Sequence, residues 1–361
     1  MPASSQRQIS FSEAIREGLD QAMARDPHVI IIGEGVPDPK SIFNTTAGLL
    51  ETYGPDRVFD MPISENGLTG VCVGAAISGM RPVMVHQRID FAMLAMDQLV
   101  NNAAKWSYMF NGEARVPLVV RLLIGRGWGQ GPQHSQSLQA MFAHVPGLKV
   151  VMPVTARDAK GMLTAAIEDN NPVIFIEHRW LHHINDTVPD DYYSTKLDKA
   201  RIMLEGSDVT VAAFSYMALE SLIAARALSS IGIYAEVIDM RSVSPLDVDT
   251  VLHSVRKTGR LVVADTAHLT GSIAGELISR IAEQSFSCLK RHPIRVASPD
   301  HPAPTSQFMT RDYYPGPEKV VDAVLELAGV DKDSIDYCSL SDACRNNSPH
   351  DVPNREFSGP F

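Results

Sequence analysis

Short, continuously apolar runs recur along most of this chain, and they constrain its fold more than any other feature. Helical patterns separate them, beginning with an amphipathic stretch at residues 11–25. The runs occupy residues 28–32, 82–85, 116–124, 148–152 and 172–176, and then 208–214, 235–240, 261–264 and 294–297. Strands that are apolar on both faces and alternate with helices are typical of a parallel sheet covered on both sides. The sequence therefore predicts an α/β fold with doubly wound sheets.

The runs fall into two sets, which predicts two domains. A chain of 361 residues exceeds a comfortable single hydrophobic core. A polar, irregular stretch at 185–204 separates the sets, so we place the boundary near residue 195, with domains at 1–195 and 196–330. Residues 331–361, rich in Asp, Ser, Asn and Pro, are predicted to be a polar tail that wraps a surface or stays disordered.

Composition and charge exclude several classes of function. The chain is 45% hydrophobic and 20% charged, as in ordinary soluble globular proteins. Its net charge of -10 argues against nucleic-acid binding, which requires a basic face. No apolar run is long enough for a membrane span, and residues 1–8 lack the apolar core of a signal peptide. We therefore expect a cytoplasmic protein that binds neither nucleic acid nor membrane.

A single acid, Glu65, is the strongest candidate for chemistry. A short apolar run delivers it to a turn, and the following residues 67–79 are almost all small or apolar, which predicts a helix packed on all sides. A carboxyl group buried at such a strand-to-helix junction is desolvated and can hold a proton, as a general acid must. A second interpretation also fits: Ser64 or Glu65 caps the helix and favours its positive end.

Several motifs, taken together and in order, resemble one family. They are Pro62-Ile63-Ser64-Glu65-Asn66-Gly67 with residues 73–76, then residues 97–105, Gln133-His134-Ser135-Gln136, and residues 146–151. The family is the beta subunit of the thiamine-diphosphate-dependent first component of 2-oxo acid dehydrogenases (pyruvate, branched-chain and acetoin types), in the transketolase-like superfamily. The resemblance runs from about Ile9 to about Gly329. It implies a pyrimidine-binding domain followed by a transketolase C-terminal-like domain.

The resemblance also assigns roles to residues. It implies that Glu65 is catalytic and hydrogen-bonds a pyrimidine nitrogen of the cofactor, and that His134 moves a proton near the acyl acceptor. Ile63, Phe91 and Gln87 are expected to contact the cofactor, Phe91 by stacking on the flat pyrimidine ring. Without the resemblance, His134 would be a residue of a surface loop and Phe91 a core residue of the next helix. The glycine-rich residues 125–131 are predicted to form a mobile active-site loop.

Only the resemblance indicates that metal ions are bound. Main-chain oxygens of four residues match a potassium site of some relatives: Leu118, Ala166, Asp169 and Asn171. The family's motif for magnesium and the cofactor diphosphate, Gly-Asp-Gly with a downstream Asn, is absent from the sequence. We therefore expect an alpha subunit to hold magnesium and the diphosphate, in an α2β2 assembly with the cofactor at the interface.

Departures from the family leave three functions open. The loop Gly33-Glu34-Gly35 lacks one of the usual two acids, residues 85–90 and Leu94 differ from most relatives, and residues 265–268 replace a more usual His-Glu-Ala-Pro. The substrate therefore cannot be inferred. The main hypothesis is oxidative decarboxylation of a 2-oxo acid, with acyl transfer to a lipoyl domain of a partner acyltransferase. The alternatives are half of a split transketolase-type enzyme that forms carbon-carbon bonds, and a noncatalytic homologue.

Overall fold

The computed structural model describes residues 7–38, 43–125 and 129–345. Contacts within the chain group it into two compact units. The first comprises residues 1–124 and 141–197, and the second comprises residues 125–140 and 198–361. Residues 125–140 therefore group with the second unit, although the predicted boundary near residue 195 assigns them to the first domain.

The first unit is built on a parallel sheet, as the apolar runs predict. Its strands pair in the order β6-β7-β5-β4-β2-β3, and β1 and β8 form a separate antiparallel pair. All residues of β2, β5 and β7 are buried, which explains why these strands have no polar face. The strands are β1 (Arg7–Ser10), β2 (Val29–Gly33), β3 (Val58–Phe59), β4 (Arg81–His86), β5 (Val119–Ile124), β6 (Lys149–Val151), β7 (Val173–His178) and β8 (Asn185–Val188).

Helices flank this sheet. The first begins where the sequence predicts, because Ser10 and Glu13 form a capping box: Glu13 N–H donates to Ser10 Oγ (3.3 Å) and Ser10 N–H to Glu13 Oε2 (2.8 Å). A π-helical segment, Gln98–Ala103, precedes the fifth helix. The helices are α1 (Phe11–Arg25), α2 (Leu49–Tyr53), α3 (Glu65–Ile77), α4 (Ile89–Ala92), α5 (Ala104–Met109), α6 (Gln139–Ala143) and α7 (Ala156–Glu168).

The prediction that α3 packs on all sides is wrong for the chain by itself. Val71 is 60% and Ile77 is 40% exposed, and Gly67 and Gly74 on the same face are exposed too. The opposite face is buried through Thr69, Cys72, Val73 and Ala76. An apolar composition all round a helix does not reveal which face the chain itself covers.

The second unit carries a mostly parallel sheet in the order β14-β13-β10-β11-β9, with β9 antiparallel at one edge. The sheet strands are β9 (Arg201–Leu204), β10 (Val209–Ala213), β11 (Ala235–Asp239), β13 (Leu261–His268) and β14 (Ile294–Ser298). The short strand β12 (Ser242–Ser244) is not part of this sheet. The helices of the second unit are α8 (Met217–Ser229), α9 (Val248–Thr258), α10 (Ile273–Ser285), α11 (Gln307–Tyr313), α12 (Pro317–Ala328) and α13 (Tyr337–Ala343).

Two stretches predicted from polarity alone contain regular structure. Residues 185–204, predicted to be irregular, hold the short strands β8 and β9, whose four-residue length carries no clear apolar run. The polar tail packs on the second unit as far as residue 345: Leu340 is buried, and the Tyr337 hydroxyl donates to Asp322 Oδ1 (2.6 Å). Residues 346–361 lie outside the described residues. None of the helices in the described ranges has the length and hydropathy that a membrane span requires.

Candidate functional site

The candidate site in the first unit lies at the carboxyl ends of three neighbouring strands. β3, β2 and β4 are adjacent and parallel, so the residues that follow them emerge along one edge of the sheet. These residues are Asp60 to Glu65, then Glu34, and then Gln87. Ligands of open α/β sheets bind in the crevice outside the carboxyl ends of the strands.

Glu65 is the first residue of α3 and is only 6% exposed. Within the described ranges of the chain, no residue forms a hydrogen bond or ion pair with its carboxylate. The Ser64 side chain makes no capping hydrogen bond, so the capping interpretation receives no support from this residue. The start of a helix favours a negative charge, which stabilises a carboxylate at this place. The arrangement leaves a buried acid available to a ligand.

Glu34 lies near two other acids, Glu65 and Asp60, and sequence analysis did not identify the three as a group. Asp60 Oδ1 accepts hydrogen bonds from the N–H groups of Gly35 (2.9 Å) and Met61 (2.8 Å). Burial raises the pKa of Glu34, and the charges of Glu65 and Asp60 raise it further. Gly35 stands where the family has a second acid, and the Asp60 carboxylate, from the segment after β3, binds the main chain at that position. Only the strand order reveals this proximity.

The predicted cofactor contacts lie near this edge and are accessible. Ile63 is 84% and Phe91 is 36% exposed, and Phe91 lies in α4, directly after β4. The exposed Gln87 donates from Nε2 to the main-chain oxygen of Glu34 (3.3 Å). Large apolar side chains that remain exposed beside a buried acid mark a surface that a ligand or a partner covers.

Basic groups occupy the same edge where the chain departs from the family. His86, at the end of β4, is 3% exposed, and burial lowers its pKa to about 4, so the ring is neutral at pH 7. Arg88 and Arg179 follow β4 and β7 and are 5% and 2% exposed. Burial, and then the charge of Arg88, lower the pKa of Arg179 to about 9. This edge therefore combines acids with buried basic groups.

The motif at 97–105 supports α3 from one side. It forms the π-helical segment, and a β-carbon at Gly70 of α3 would lie 3.3 Å from Gln98 Oε1. Gly147 has φ +103°, and a β-carbon there would lie 1.9 Å from the main-chain oxygen of Ala104, so only glycine fits. Lys105 Nζ donates to the main-chain oxygen of Pro146 (2.7 Å). Two of the motifs that carry the resemblance are therefore packed together.

His134 lies in the second unit, in the loop that precedes α6. Gln133, Ser135 and Gln136 from this loop line a cavity of about 640 Å³. Pro132 of the same loop lines it too, and the remaining lining residues come from elsewhere in this unit: His268, Thr270, Asp300, His301, Pro302, Ala303 and Tyr313. Residues 126–128 of the predicted active-site loop lie outside the described residues.

The residues predicted to bind potassium lie in the first unit, where an arginine already contacts one of the four carbonyls, that of Asp169. Arg81 Nη1 donates to the main-chain oxygens of Ile167 (2.9 Å) and Asp169 (3.1 Å) at the end of α7. The Leu118 oxygen accepts the N–H of Val173 (2.9 Å). The guanidinium supplies positive charge at a helix C-terminus, and potassium binding stays a prediction.

Comparison with known proteins gives concordant matches over most of the chain. The family model described as transketolase, pyrimidine binding domain, matches residues 7–183, and that described as transketolase, C-terminal domain, matches residues 198–320. The acetoin:2,6-dichlorophenolindophenol oxidoreductase subunit beta of Bacillus subtilis is 42% identical over 335 residues, covering 90% of this chain and 98% of that protein.

Pyruvate dehydrogenase subunits are similar to the same extent. The pyruvate dehydrogenase E1 component subunit beta-1, mitochondrial, of Oryza sativa is 42% identical and covers 88% of this chain and 86% of its own length. The corresponding subunit beta of Rickettsia felis is 40% identical, with 89% and 98% covered. A solved structure described as a split gene transketolase, inactive beta4 tetramer, has a TM-score of 0.73 at 22% identity, covering 89% of this chain and 99% of that chain. At this identity, the similarity to the solved structure shows a shared fold alone.

Proposed function

Because the chain belongs to the family of beta subunits of thiamine-dependent 2-oxo acid dehydrogenases, we propose that it supplies the pyrimidine-binding half of such an enzyme and acts together with an alpha subunit. The observation that carries this proposal is Glu65, a buried acid at the start of α3 with no partner among the described residues. The predicted α2β2 assembly, in which the alpha subunit holds magnesium and the diphosphate, is supported by the absence of the Gly-Asp-Gly motif from this sequence.

The first unit's residues fit a flat, mostly apolar ring with a nitrogen at one edge. Ile63 and Phe91 present accessible apolar surface for the ring faces, and Glu65 presents a carboxyl oxygen for the nitrogen. When bound, thiamine diphosphate would supply a carbon nucleophile for the carbonyl of the 2-oxo acid and an electron sink for the electron pair that departing carbon dioxide leaves behind. Glu65 then has two tasks: to orient the ring and to hold a proton at its carboxyl oxygen.

His134 is assigned the proton transfer to the acyl acceptor. An imidazole can both donate and accept a proton, which suits donation to a sulfur atom of a lipoyl group. The lipoyl acyltransferase is the partner that this step requires, and the resemblance supports it. A cytoplasmic location stays a prediction, since relatives of similar identity include proteins named as mitochondrial.

The test is an activity assay of the assembled enzyme. The chain would be co-produced with its candidate alpha subunit and supplied with thiamine diphosphate and magnesium. Reduction of 2,6-dichlorophenolindophenol would then be measured with pyruvate, branched-chain 2-oxo acids and acetoin. We expect turnover of a 2-oxo acid. Turnover of acetoin alone would shift the substrate class, and formation of a carbon-carbon bond with an added aldehyde, without dye reduction, would favour the split transketolase alternative.

A further inference from the structure

Two anchors within the second unit hold the loop that carries His134. The first anchor is at Gly131, which has φ +66° and lies so close to Thr305 that a β-carbon there would be 2.5 Å from Thr305 Oγ1. His134 N–H donates to the main-chain oxygen of Gly131 (3.4 Å), which closes a turn between them. The start of the loop therefore packs closely against Thr305.

The second anchor is Gln139, the first residue of α6, which is fully buried. Its Nε2 donates to Asp265 Oδ1 (2.7 Å) and to Thr266 Oγ1 (3.3 Å) near the end of β13. Asp265 is fully buried as well, and its Oδ1 also accepts the N–H of Ala267 (3.2 Å). His134 therefore lies between two fixed points, Gly131 and Gln139.

The pair of Gln139 and Asp265 is costly as a purely structural contact. Gln139 Oε1 is buried and accepts no hydrogen bond from the described residues. Burial also raises the pKa of Asp265. Two apolar side chains would fill the same space without an unsatisfied acceptor. The polar pair fixes the orientation of the Gln139 side-chain amide, because a carboxylate accepts a hydrogen bond only from the amide nitrogen.

We propose that Asp265 and Thr266 are positioning residues that act through Gln139 to hold His134 in place within the second unit. The assignment of a chemical task to His134 rests on the proposed function. The cavity beside the loop explains why position matters: Gln133 and Ser135, the neighbours of His134 in the chain, line it, and so does His268, three residues after Asp265. A displacement of about 1 Å at a reacting group can reduce a rate about a hundredfold.

Hydrogen exchange of residues 129–138 tests the positioning without any assay of activity. In the assembled enzyme, Gln139→Leu keeps the side-chain size and removes both hydrogen bonds. We expect exchange in this segment to become about tenfold faster or more, the factor that corresponds to a lost hydrogen bond to a charged group. Asp265→Asn keeps an acceptor and should stay within about twofold of wild type, whereas Asp265→Leu should match Gln139→Leu.

Thr210→Val is the matched control. Thr210 is fully buried in the same unit and its hydroxyl is bonded to Ser254 (2.7 Å) and Thr258 (2.8 Å), away from the loop. It should lower the stability of the unit without faster exchange in residues 129–138. Unchanged exchange in Gln139→Leu, or equal acceleration in Thr210→Val, would overturn the proposal.

A double-mutant cycle then connects position to chemistry. We expect Gln139→Leu to slow lipoyl-dependent acyl transfer about tenfold or more while dye reduction changes little, and to add nothing further to His134→Ala. If the rate losses of Gln139→Leu and His134→Ala multiply in the double variant, Gln139 acts independently of His134, and this result would overturn the proposal. If His134→Ala alters neither assay while exchange responds as expected, the loop anchor stands and the proton-transfer role proposed for His134 fails.

Discussion

Glu65 and Glu177 are both buried carboxylates of the first unit, yet their surroundings give them different tasks. Glu177 accepts two hydrogen bonds from Arg121, at 2.6 and 3.0 Å, and lies 3.1 Å from His182 Nε2. Glu65 has no such partner among the described residues. Because a buried charge needs compensation, the fold supplies partners to Glu177, whereas the carboxylate of Glu65 is left available to a ligand.

Glu65→Gln should preserve the fold and remove most of the turnover of the assembled enzyme. An amide cannot hold the proton that the proposed role requires, and loss of one catalytic hydrogen bond of this kind costs about a hundredfold or more. The measurement is the dye-reduction rate, with circular dichroism to check folding. Glu51→Gln, which removes an exposed acid from the first turn of α2, is the control for a helix-end charge. Equal effects of both variants would return Glu65 to a capping role.

Glu177→Gln should destabilise the chain most strongly at neutral pH. Arg121 is fully buried, so loss of its partner charge should lower the free energy of unfolding by about 3–5 kcal/mol. Burial by itself would raise the pKa of Glu177, but the charge of Arg121 and the hydrogen bonds from His182 and Arg121 outweigh it and lower the pKa to about 2.

The sign of the pH dependence follows from this lowered pKa. A carboxylate whose pKa is lower in the folded state stabilises the protein fully above its ordinary value of 4.5, and the contribution disappears as the pH falls towards about 2. The stability difference between wild type and Glu177→Gln should therefore shrink across that interval. Urea unfolding at several pH values, followed by tryptophan fluorescence, measures it. A difference that stays constant from pH 7 to pH 3 would contradict the assignment.

At the scale of elements, two glycines in the packed helices α1 and α7 offer a matched comparison. A β-carbon at Gly18 of α1 would meet its nearest atom at 3.5 Å, an ordinary contact. A β-carbon at Gly161 of α7 would lie 2.2 Å from Thr195 Oγ1, and the Gly161 oxygen accepts the N–H of Thr195 (2.8 Å). The close packing of Thr195 on α7 therefore requires a glycine at position 161.

Gly18→Ala and Gly161→Ala should change stability in opposite directions. Alanine is favoured over glycine in a helix by about 1 kcal/mol, so Gly18→Ala should raise the free energy of unfolding by up to that amount. Gly161→Ala should lower it by about 1–3 kcal/mol, because the extra methyl group forces neighbouring atoms apart. Thermal unfolding of both variants distinguishes them. Shifts of the same sign would show that the segment near Thr195 moves aside without cost.

The sequence predicts elements well where the signal is local. The limits of α1 follow from its amphipathic pattern, and the Ser10–Glu13 capping box explains why it begins there. The strands β3, β8 and β9 have only two to four residues, and such short segments carry no distinctive pattern. The same limit holds at the site: Glu65 belongs to a local motif, whereas the contact of Gln139 with Asp265 joins residues 126 positions apart and depends on how the strands are ordered.

At the scale of the whole molecule, the isolated chain should bind thiamine diphosphate weakly or not at all. The first unit offers the surroundings for a pyrimidine ring, but the sequence lacks the motif that holds magnesium and the diphosphate. Calorimetric titration of the chain with the cofactor and magnesium, with and without the alpha subunit, measures this. Tight magnesium-dependent binding by the chain alone would show that it needs no partner for the diphosphate.

Because residues 125–140 belong to the second unit, genes of this family cannot be recombined freely at the boundary near residue 197. A chimera that joins residues 1–197 of this chain to the C-terminal part of a relative would pair Gln139 with a foreign residue in place of Asp265. Such a hybrid inherits its histidine loop from one parent and the anchor of that loop from the other. A functional exchange therefore has to transplant two separate pieces, 125–140 and everything after 197, as a single inherited block.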